Sequence, residues 1–517
     1  ARRYAISYLT RRLWRGTMMF MAEPTYLAVD LGASGGRVLA GSFDGKRLWL
    51  EELHRFENAA VPAAGGLFWD LLRLWGQVCQ GLRLAGSRFG SAIRSVGVDT
   101  WGVDFALLGR GDVLLENPHS YRDLRCDGML ERAYEILGRD EIFAQTGVQF
   151  MPINTLYQFM SLRAAGSPLL DAAESLLLMP DLFHWLLTGV KSNEFTNATT
   201  TQFFNPTQGR WAFELLERLD LPTRLLGEVV PPGTRLGPLR RDVAAETGLT
   251  GAGVVLPGTH DTASAVMAVP ATGEASRQPD WCYISSGTWS LMGVEVVQPV
   301  INDECRRLNF TNEGGVGETI RLLKNITGLW LVQECRRVWQ KSGRDYAWED
   351  LNHLSAAAAP LASLVNPDDA AFQAPGDMPE AIREYCRRSG QPVPSDEGAM
   401  VRCALESMAL KSRWVLEGLE RLTGGRIETI HIVGGGTQNR QLCQATADAC
   451  QRRVVAGPIE ATALGNLMVQ AIAAGSIGLI AEAREVVRHS FPVAEYDPRN
   501  AAAWEDAYGR FKAIAGL

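Results

Sequence analysis

The segment Asp30-Leu-Gly-Ala-Ser-Gly-Gly-Arg37 combines residue types that can hold a polyphosphate. Its glycines expose backbone N–H groups, Ser34 adds a hydroxyl, and Arg37 adds a permanent positive charge. Asp30 stands where an apolar run ends, and a carboxylate there can orient a hydrated magnesium ion beside terminal phosphates. The pattern predicts a phosphate site, with an ordinary glycine-bearing hairpin as the alternative.

Two further turns offer hydroxyls and bare glycines. Ser285-Ser-Gly-Thr-Trp-Ser290 lies in the second half of the chain, where it could face the first turn and grip a polyphosphate between domains. Val433-Gly-Gly-Gly-Thr-Gln-Asn439 leaves a strand and opens a helix, so adenine and ribose could lie on its backbone beside partial positive charge. Plain connecting turns are the alternative for both segments.

Asp261 is the candidate general base. It lies in Pro257-Gly-Thr-His-Asp-Thr262, where an apolar strand runs into the helical segment TASAVMAV. A carboxylate there, even with an ordinary pKa near 4, can accept the proton that a hydroxyl loses late in its attack on phosphorus. The alternative is that Asp261 or Thr262 caps the helix, a role compatible with catalysis.

The sequence lacks several familiar site motifs. It contains no GxxxxGK[ST] loop, GxGxxG fingerprint, HExxH pair, EF-hand loop or GxSxG elbow. These absences argue against P-loop kinases, Rossmann dehydrogenases, metalloproteases, calcium sensors and serine hydrolases.

Composition restricts the class of protein further. The 517 residues and 46% hydrophobic content are typical of a globular protein with more than one domain. The net charge of -7 disfavours nucleic acid and anionic lipid as partners, and no apolar run is long enough to cross a membrane. The sequence leaves open a monomer or a small homo-oligomer.

The nine cysteines are scattered and form no CxxC pair. This pattern argues against a disulfide framework or a zinc site and favours free thiols in the cytoplasm. Cys386 and Cys403 flank a polar segment and could form a bridge on oxidation.

Strands and helices must position these residues. YLAVDLG, RVLAGSF and KRLWLEELHRF predict three consecutive strands, followed by a helix capped by Asp70. CYISSGTWSLMGVEVV again reads as strand, turn and strand, which indicates a duplication at the scale of a domain. Helices are expected from Ile326 to about Thr423, and the IETIHIVGGG strand leads to a helix from about Asn439.

Taken in order, these segments resemble the FGGY carbohydrate kinases of the actin, hexokinase and heat-shock ATPase superfamily. The resemblance covers about residues 24–500. It also includes GVDTWGVDFALL (97–108), SYRD (120–123), INTLYQ (153–158), LLMPD (177–181), TNATTTQ (196–202), HDTASAV (260–266), TNEGG (311–315), LKNITGLWL (323–331) and GPIEATALGN (457–466). The arginine-rich N-terminal extension and the turn ASGGR, where ASSGR is more usual, depart from the family pattern.

The resemblance implies an α/β fold of two RNase H-like domains with a cleft between them. We expect an N-terminal extension at 1–22, disordered and outside the fold, a sugar- and phosphate-binding domain at 23–265, a nucleotide-binding domain at 266–490, and a C-terminal tail or helix at 491–517. The implied reaction transfers the terminal phosphoryl group of ATP, with Mg²⁺, to the carbon 1 hydroxyl of L-rhamnulose. L-Fuculose or L-xylulose is the alternative acceptor. A chaperone or filament ATPase, or an inactive sugar sensor, is disfavoured.

The resemblance also implies roles for individual residues. Phosphates would be held by Ala33, Ser34, Gly35, Gly36 and Arg37, and the nucleotide would be contacted by Thr288, Gln333 and Gly435. The sugar would be surrounded by Gly102, His260, Asp261, Thr262 and Asn325. Asp261 would be the base and Asp30 would hold Mg²⁺ through water. Alternatively, Gly102 marks a bulge, Gln333 lies on a helix surface, and Asn325 caps a helix that begins near Ile326.

Overall fold

The computed structural model describes residues 23–373 and 376–517. The expected disordered extension at 1–22 lies outside the described residues. Both halves of the chain are layered α/β structures, each built on one large sheet.

The first half begins with the three strands that the sequence predicts. Its strands are β1 (Thr25–Gly32), β2 (Gly35–Phe43), β3 (Leu48–Glu57), β4 (Ala60–Ala63), β5 (Gly66–Trp69), β6 (Ile93–Thr100), β7 (Phe105–Gly109), β8 (Val113–Leu114), β9 (Ala173–Leu178), β10 (Asn193–Glu194), β11 (Phe204–Asn205), β12 (Arg210–Trp211), β13 (Val229–Val230), β14 (Arg235–Pro238) and β15 (Gly253–Val255). Its helices are α1 (Leu71–Phe89), α2 (Met129–Leu137), α3 (Arg139–Thr146), α4 (Thr155–Ala164), α5 (Pro168–Ala172), α6 (Met179–Thr188), α7 (Phe195–Ala198), α8 (Phe213–Arg218), α9 (Arg241–Thr247) and α10 (Asp261–Met267).

The main sheet of this half has the order β14-β15-β6-β1-β2-β3. The β1–β2 hairpin closes where Gly32 pairs with Gly35, because glycines allow the tight turn. β6 and β15 add parallel to β1, so their carboxyl ends lie at the edge where that hairpin turns. The predicted cap of α1 is confirmed, since the Asp70 side chain accepts a hydrogen bond from the backbone N–H of Arg73 at 3.1 Å.

The second half repeats the arrangement. Its strands are β16 (Trp281–Ser286), β17 (Trp289–Val296), β18 (Thr311–Gly314), β19 (Ile320–Thr327), β20 (Thr429–Val433), β21 (Arg453–Ala456) and β22 (Ala494–Tyr496). Its helices are α11 (Asp303–Leu308), α12 (Trp330–Lys341), α13 (Trp348–Ala357), α14 (Met378–Arg388), α15 (Glu397–Thr423), α16 (Arg440–Cys450), α17 (Ala461–Ala473), α18 (Ile480–Ser490) and α19 (Ala501–Ala515).

The sheet of the second half has the order β18-β19-β17-β16-β20-β21-β22. As in the first half, three antiparallel strands are followed by two strands parallel to the first of them. This shared topology agrees with the domain-scale duplication that the sequence indicates. The C-terminal helix α19 buries Trp504, Tyr508 and Phe511 in a cluster with side chains of α15 and α16.

Two expectations about helix boundaries are wrong. No helix begins near Ile326, because β19 pairs with β17 through Thr327 and α12 begins only at Trp330. Asn325 therefore lies inside a strand and caps nothing. Asp261 is the first residue of α10, whose N-cap is His260 without a capping side chain, so neither Asp261 nor Thr262 is the cap.

The two halves meet through α10 and α17, which pack closely at the centre of the molecule. From α17, Asn466 Nδ2 donates to Asp99 Oδ2 at 2.6 Å, and Gln470 Oε1 accepts from Ser95 Oγ at 2.6 Å. These buried bonds join a helix of the second half to β6 of the first half. The carboxyl ends of both main sheets consequently face one region between the halves.

In the part of the chain that the structure describes, no helix is long and apolar enough to cross a membrane. All nine cysteines are buried free thiols, and Cys386 and Cys403 are in hydrogen-bonding contact with each other.

Candidate active site

A cavity of about 1090 Å³ opens between the two halves. It is lined by each of the fourteen residues to which the sequence gives a site role: Asp30, Ala33, Ser34, Gly35, Gly36, Arg37, Gly102, His260, Asp261, Thr262, Thr288, Asn325, Gln333 and Gly435. Segments as far apart in the chain as Asp30 and Gly435 therefore form one site. The volume suits a nucleotide together with a small second substrate.

Arg37 lines the cavity between two carboxylates. Its guanidinium is paired with Asp30 of the same hairpin and with Glu460 at the start of α17. Burial opposes the charged form, but the two carboxylates outweigh burial and raise the pKa of Arg37. Burial, assisted by Asp30, raises the pKa of Glu460. Glu460 lies in the GPIEATALGN segment, where no local pattern marks it as a partner of Arg37.

A second buried carboxylate stands beside Asp30. Asp99 pairs with Asp30 across β1 and β6, and it is completely buried. Burial, assisted by the charge of Asp30, raises the pKa of Asp99 well above its ordinary value. Its Oδ2 accepts from Asn466, whereas its Oδ1 has no hydrogen-bond partner among the described residues.

Asp261 reaches the cavity from the first turn of α10. Its Oδ1 accepts a hydrogen bond from Thr262 Oγ1 at 3.0 Å and lies 3.5 Å from His260 Nε2, and 32% of the side chain is exposed. Burial and the charge of Asp30 raise the pKa of Asp261 despite the opposing effect of His260. The raised pKa makes this carboxylate a stronger base than an ordinary aspartate, although even an ordinary one could serve.

His260 is held by two residues of the second half. Its Nδ1 lies 3.1 Å from Arg321 NH2 and 3.3 Å from Glu313 Oε2. Although burial opposes ionisation of Glu313, His260 and Arg321 lower the pKa of this carboxyl group. Glu313 belongs to the TNEGG segment, but sequence alone did not show that β18 would place it behind His260.

The TNATTTQ segment positions the loop that carries Asp261. Buried Glu194 accepts hydrogen bonds from Thr259 N at 3.2 Å and Thr259 Oγ1 at 2.6 Å. Thr196 Oγ1 accepts from the backbone N–H of His260 at 3.1 Å. Glu194 and Thr196 therefore fix the backbone on the amino-terminal side of Asp261, whereas Thr200 of the same polar block lines the cavity.

Asn325 and Gly102 lie at the end of the cavity formed by the first half and β19. The backbone N–H of Asn325 donates to Gln149 Oε1 at 2.9 Å. A Cβ at position 102 would lie 3.1 Å from Thr200 Oγ1, so glycine lets the chain pass close to Thr200. Gly102 lies two residues beyond the end of β6 and is not part of a bulge between paired strands.

The opposite end of the cavity has bare backbone. A Cβ at Gly435 would meet no atom within 4 Å, whereas one at Gly436 would overlap the hydroxyl of Ser286. Gln333 lies in the first turn of α12, on the helix surface that lines the cavity. Gln438 and Asn439 of the Val433–Asn439 turn also line the cavity, as do four residues to which the sequence gives no role, namely Leu329, Trp348, Asn352 and Ile459.

Lys324 lies next to Asn325, and its burial can be tested by measuring how stability depends on pH. Burial, assisted by Lys411, lowers its pKa to about 7. Between about pH 7 and pH 10 the unfolded chain keeps a proton that the folded chain has lost, so this lysine makes the free energy of unfolding rise with pH. We expect Lys324→Met to flatten that rise in urea titrations across this range. Lys46→Met, at an exposed position, should keep the original slope, and equal slopes in both variants would contradict the assignment.

Comparison with known proteins places most of the chain in one family. The model of the FGGY family of carbohydrate kinases, N-terminal domain, matches residues 25–268, and the model of the C-terminal domain matches residues 282–474. A rhamnulokinase from Bacteroides thetaiotaomicron is 45% identical over 490 residues, which are 95% of this chain and 99% of that protein. A rhamnulokinase from Pectobacterium atrosepticum is 42% identical and covers 96% of this chain and 97% of its own length.

Among solved structures, gluconate kinase from Lactobacillus acidophilus superposes with a TM-score of 0.79 at 16% identity. The match covers 96% of this chain and 98% of that chain. The fold is therefore the two-domain ATPase fold of actin and hexokinase type, as the sequence predicts.

Proposed function

The chain belongs to the FGGY family of carbohydrate kinases, and we propose that it transfers the terminal phosphoryl group of ATP to the carbon 1 hydroxyl of L-rhamnulose. The observation that carries the proposal is the single cavity that brings Asp261 to the phosphate-binding hairpin and to the glycine turn of the second half. The relatives named rhamnulokinase, which match nearly the full chain, support L-rhamnulose as the acceptor. They do not favour the alternatives L-fuculose and L-xylulose.

In the proposed mechanism, Asp261 accepts the proton of the attacking hydroxyl. Glu313 and Arg321 hold His260, and His260 in turn fixes the position of the Asp261 carboxylate. Arg37 would leave Glu460 and take the charge of the transferred phosphoryl group, because that group is the stronger anion. These residues align the attacking hydroxyl with the phosphoryl group. Phosphoryl transfer requires little covalent chemistry from the protein beyond this alignment.

Asp30 is the proposed magnesium residue. The donor set suits a hard cation, because the carboxylates of Asp30 and Asp261 both line the cavity and lie close enough for the charge of Asp30 to act on Asp261. When bound with ATP, Mg²⁺ neutralises charge on the phosphate oxygens. Asp30 would hold it through water.

An ATP-consumption assay with L-rhamnulose, L-fuculose, L-xylulose and glycerol tests the proposed function. With Mg²⁺ present, we expect the highest kcat/KM for L-rhamnulose. Phosphorus–carbon coupling in the NMR spectrum of the product should show that the phosphate is on carbon 1. Higher kcat/KM for another acceptor, or phosphate on another carbon, would overturn the assignment of substrate.

We also expect the cleft to close when both substrates bind. Closure would bring Thr288, Arg37 and Asp261 around one phosphorus atom and expel water from it. Small-angle scattering should show a smaller radius of gyration with sugar plus a non-hydrolysable ATP analogue than with either ligand alone. An unchanged radius at saturating ligand would refute closure.

A further inference from the structure

Val103 has a backbone conformation that is rare for its residue type. Its φ is +68°, in the left-handed region that a β-branched side chain seldom adopts. Three hydrogen bonds hold it there: its N–H donates to Thr200 Oγ1 at 3.3 Å, and its carbonyl accepts from Thr155 Oγ1 at 2.6 Å and Gln158 Nε2 at 3.3 Å. The surroundings therefore impose this conformation, and such imposed strain concentrates at functional sites.

Val103 is half-buried and lines the cavity directly after Gly102. Val148, Met151 and Ile153, from the segment between α3 and α4, line the same cavity. That segment is held in place because Asn154 Nδ2 donates to the carbonyl of Gln149 at 2.8 Å. We call these four cavity-lining residues, Val103, Val148, Met151 and Ile153, the apolar end.

The apolar end belongs to the sugar side of the cavity. β6, which leads into Val103, contacts the Asp261 loop, since Thr100 N donates to the carbonyl of Thr259 at 2.9 Å. Gln149, next to Val148, binds the backbone of Asn325. The residues proposed to contact the nucleotide come from the second half, so adenine would lie against the other wall.

Valine, methionine and isoleucine side chains offer no hydrogen-bond donor to a sugar. A sugar hydroxyl that contacted them would lose its hydrogen bonds to water and gain none from the protein. A methyl group makes no hydrogen bonds to water and would therefore lose none. Resting on the proposed function, we propose that the apolar end binds the methyl group of a 6-deoxyketose while carbon 1 lies at Asp261. Val103, held in its left-handed conformation, would form part of the wall of this subsite.

Comparison of three ketoses tests the proposed contact between the apolar end and the methyl group. L-Fructose is L-rhamnulose with a hydroxymethyl group in place of the methyl, and L-xylulose lacks that carbon. A single group of this kind in an apolar pocket changes kcat/KM by about 10- to 200-fold. Val103→Thr keeps the branched shape of the side chain and replaces one of its methyl groups with a hydroxyl. We expect the L-rhamnulose to L-fructose ratio of kcat/KM to fall about tenfold or more, with kcat/KM for L-xylulose nearly unchanged.

Changes in this ratio are informative because the ring forms of each free sugar are the same for every variant. Ile153→Thr tests the same subsite from another segment and decides the question if Val103→Thr does not fold. Val113→Thr, at a valine that is 59% exposed, is the matched control and should keep the ratio. Unchanged ratios in folded Val103→Thr and Ile153→Thr would overturn the subsite alone, whereas a wild-type chain that phosphorylates none of the three ketoses would overturn the proposed function with it.

Discussion

Replacement of Asp261 by asparagine is expected to lower turnover by about 10²- to 10⁴-fold, the usual effect of removing a general base. The amide keeps the size of the side chain and can still accept from Thr262, but it cannot take the proton of the sugar hydroxyl. The proposed nucleotide contacts lie on other residues and should keep the dissociation constant for ATP. Turnover, ATP affinity and melting temperature should therefore be measured on one preparation.

Asp396→Asn is the matched control for this variant. Asp396 caps α15 by accepting from the backbone N–H of Ala399 at 2.9 Å, and asparagine caps a helix about as well as aspartate. We expect Asp396→Asn to leave both turnover and melting temperature close to those of the original chain. If Asp261→Asn behaved in the same way, Asp261 would have only a structural role at the start of α10.

Replacement of Gly465 by alanine is expected to destabilise the folded chain and disturb the site. Gly465 lies on α17 where it crosses α10, and a methyl group there would overlap the carbonyl oxygen of Ser264. The obstacle is the backbone of a buried helix, so relief requires the helices to separate. We expect the free energy of unfolding in urea to decrease by an amount in the upper part of the range of about 1–3 kcal/mol that overpacked cores show.

Turnover should fall with stability in the Gly465→Ala variant, because α10 begins at Asp261 and would carry the carboxylate away from the hydroxyl. Gly509→Ala provides the control. Gly509 is an exposed position inside α19, and a Cβ there would meet no atom within 4 Å. The change should stabilise the chain by about 0.5–1 kcal/mol through helix propensity. A Gly465→Ala variant with unchanged stability would contradict the close packing of α10 and α17.

Several local features of the fold could be predicted from the sequence alone. The β1–β2 hairpin, the Asp70 cap and the strand that ends at Val433 follow from apolar alternation, a capping residue and glycines within a few neighbouring positions. The candidate site residues also lie in short segments whose glycines, hydroxyls and carboxylates are visible without coordinates. The predictions of the hairpin, the cap and the strand end are confirmed, because each depends on contacts that are local along the chain.

Only the tertiary structure decided which of these segments meet. Arg37 and Glu460 are 423 positions apart, and Arg321 and His260 are 61 apart, so no local pattern reveals either contact. The extension of β19 through Thr327 depends on pairing with β17, which overrode the helix expected from residue 326. The left-handed turn at Val103 likewise comes from hydrogen bonds to Thr200, Thr155 and Gln158, because the valine itself disfavours that conformation and distant parts of the chain must impose it.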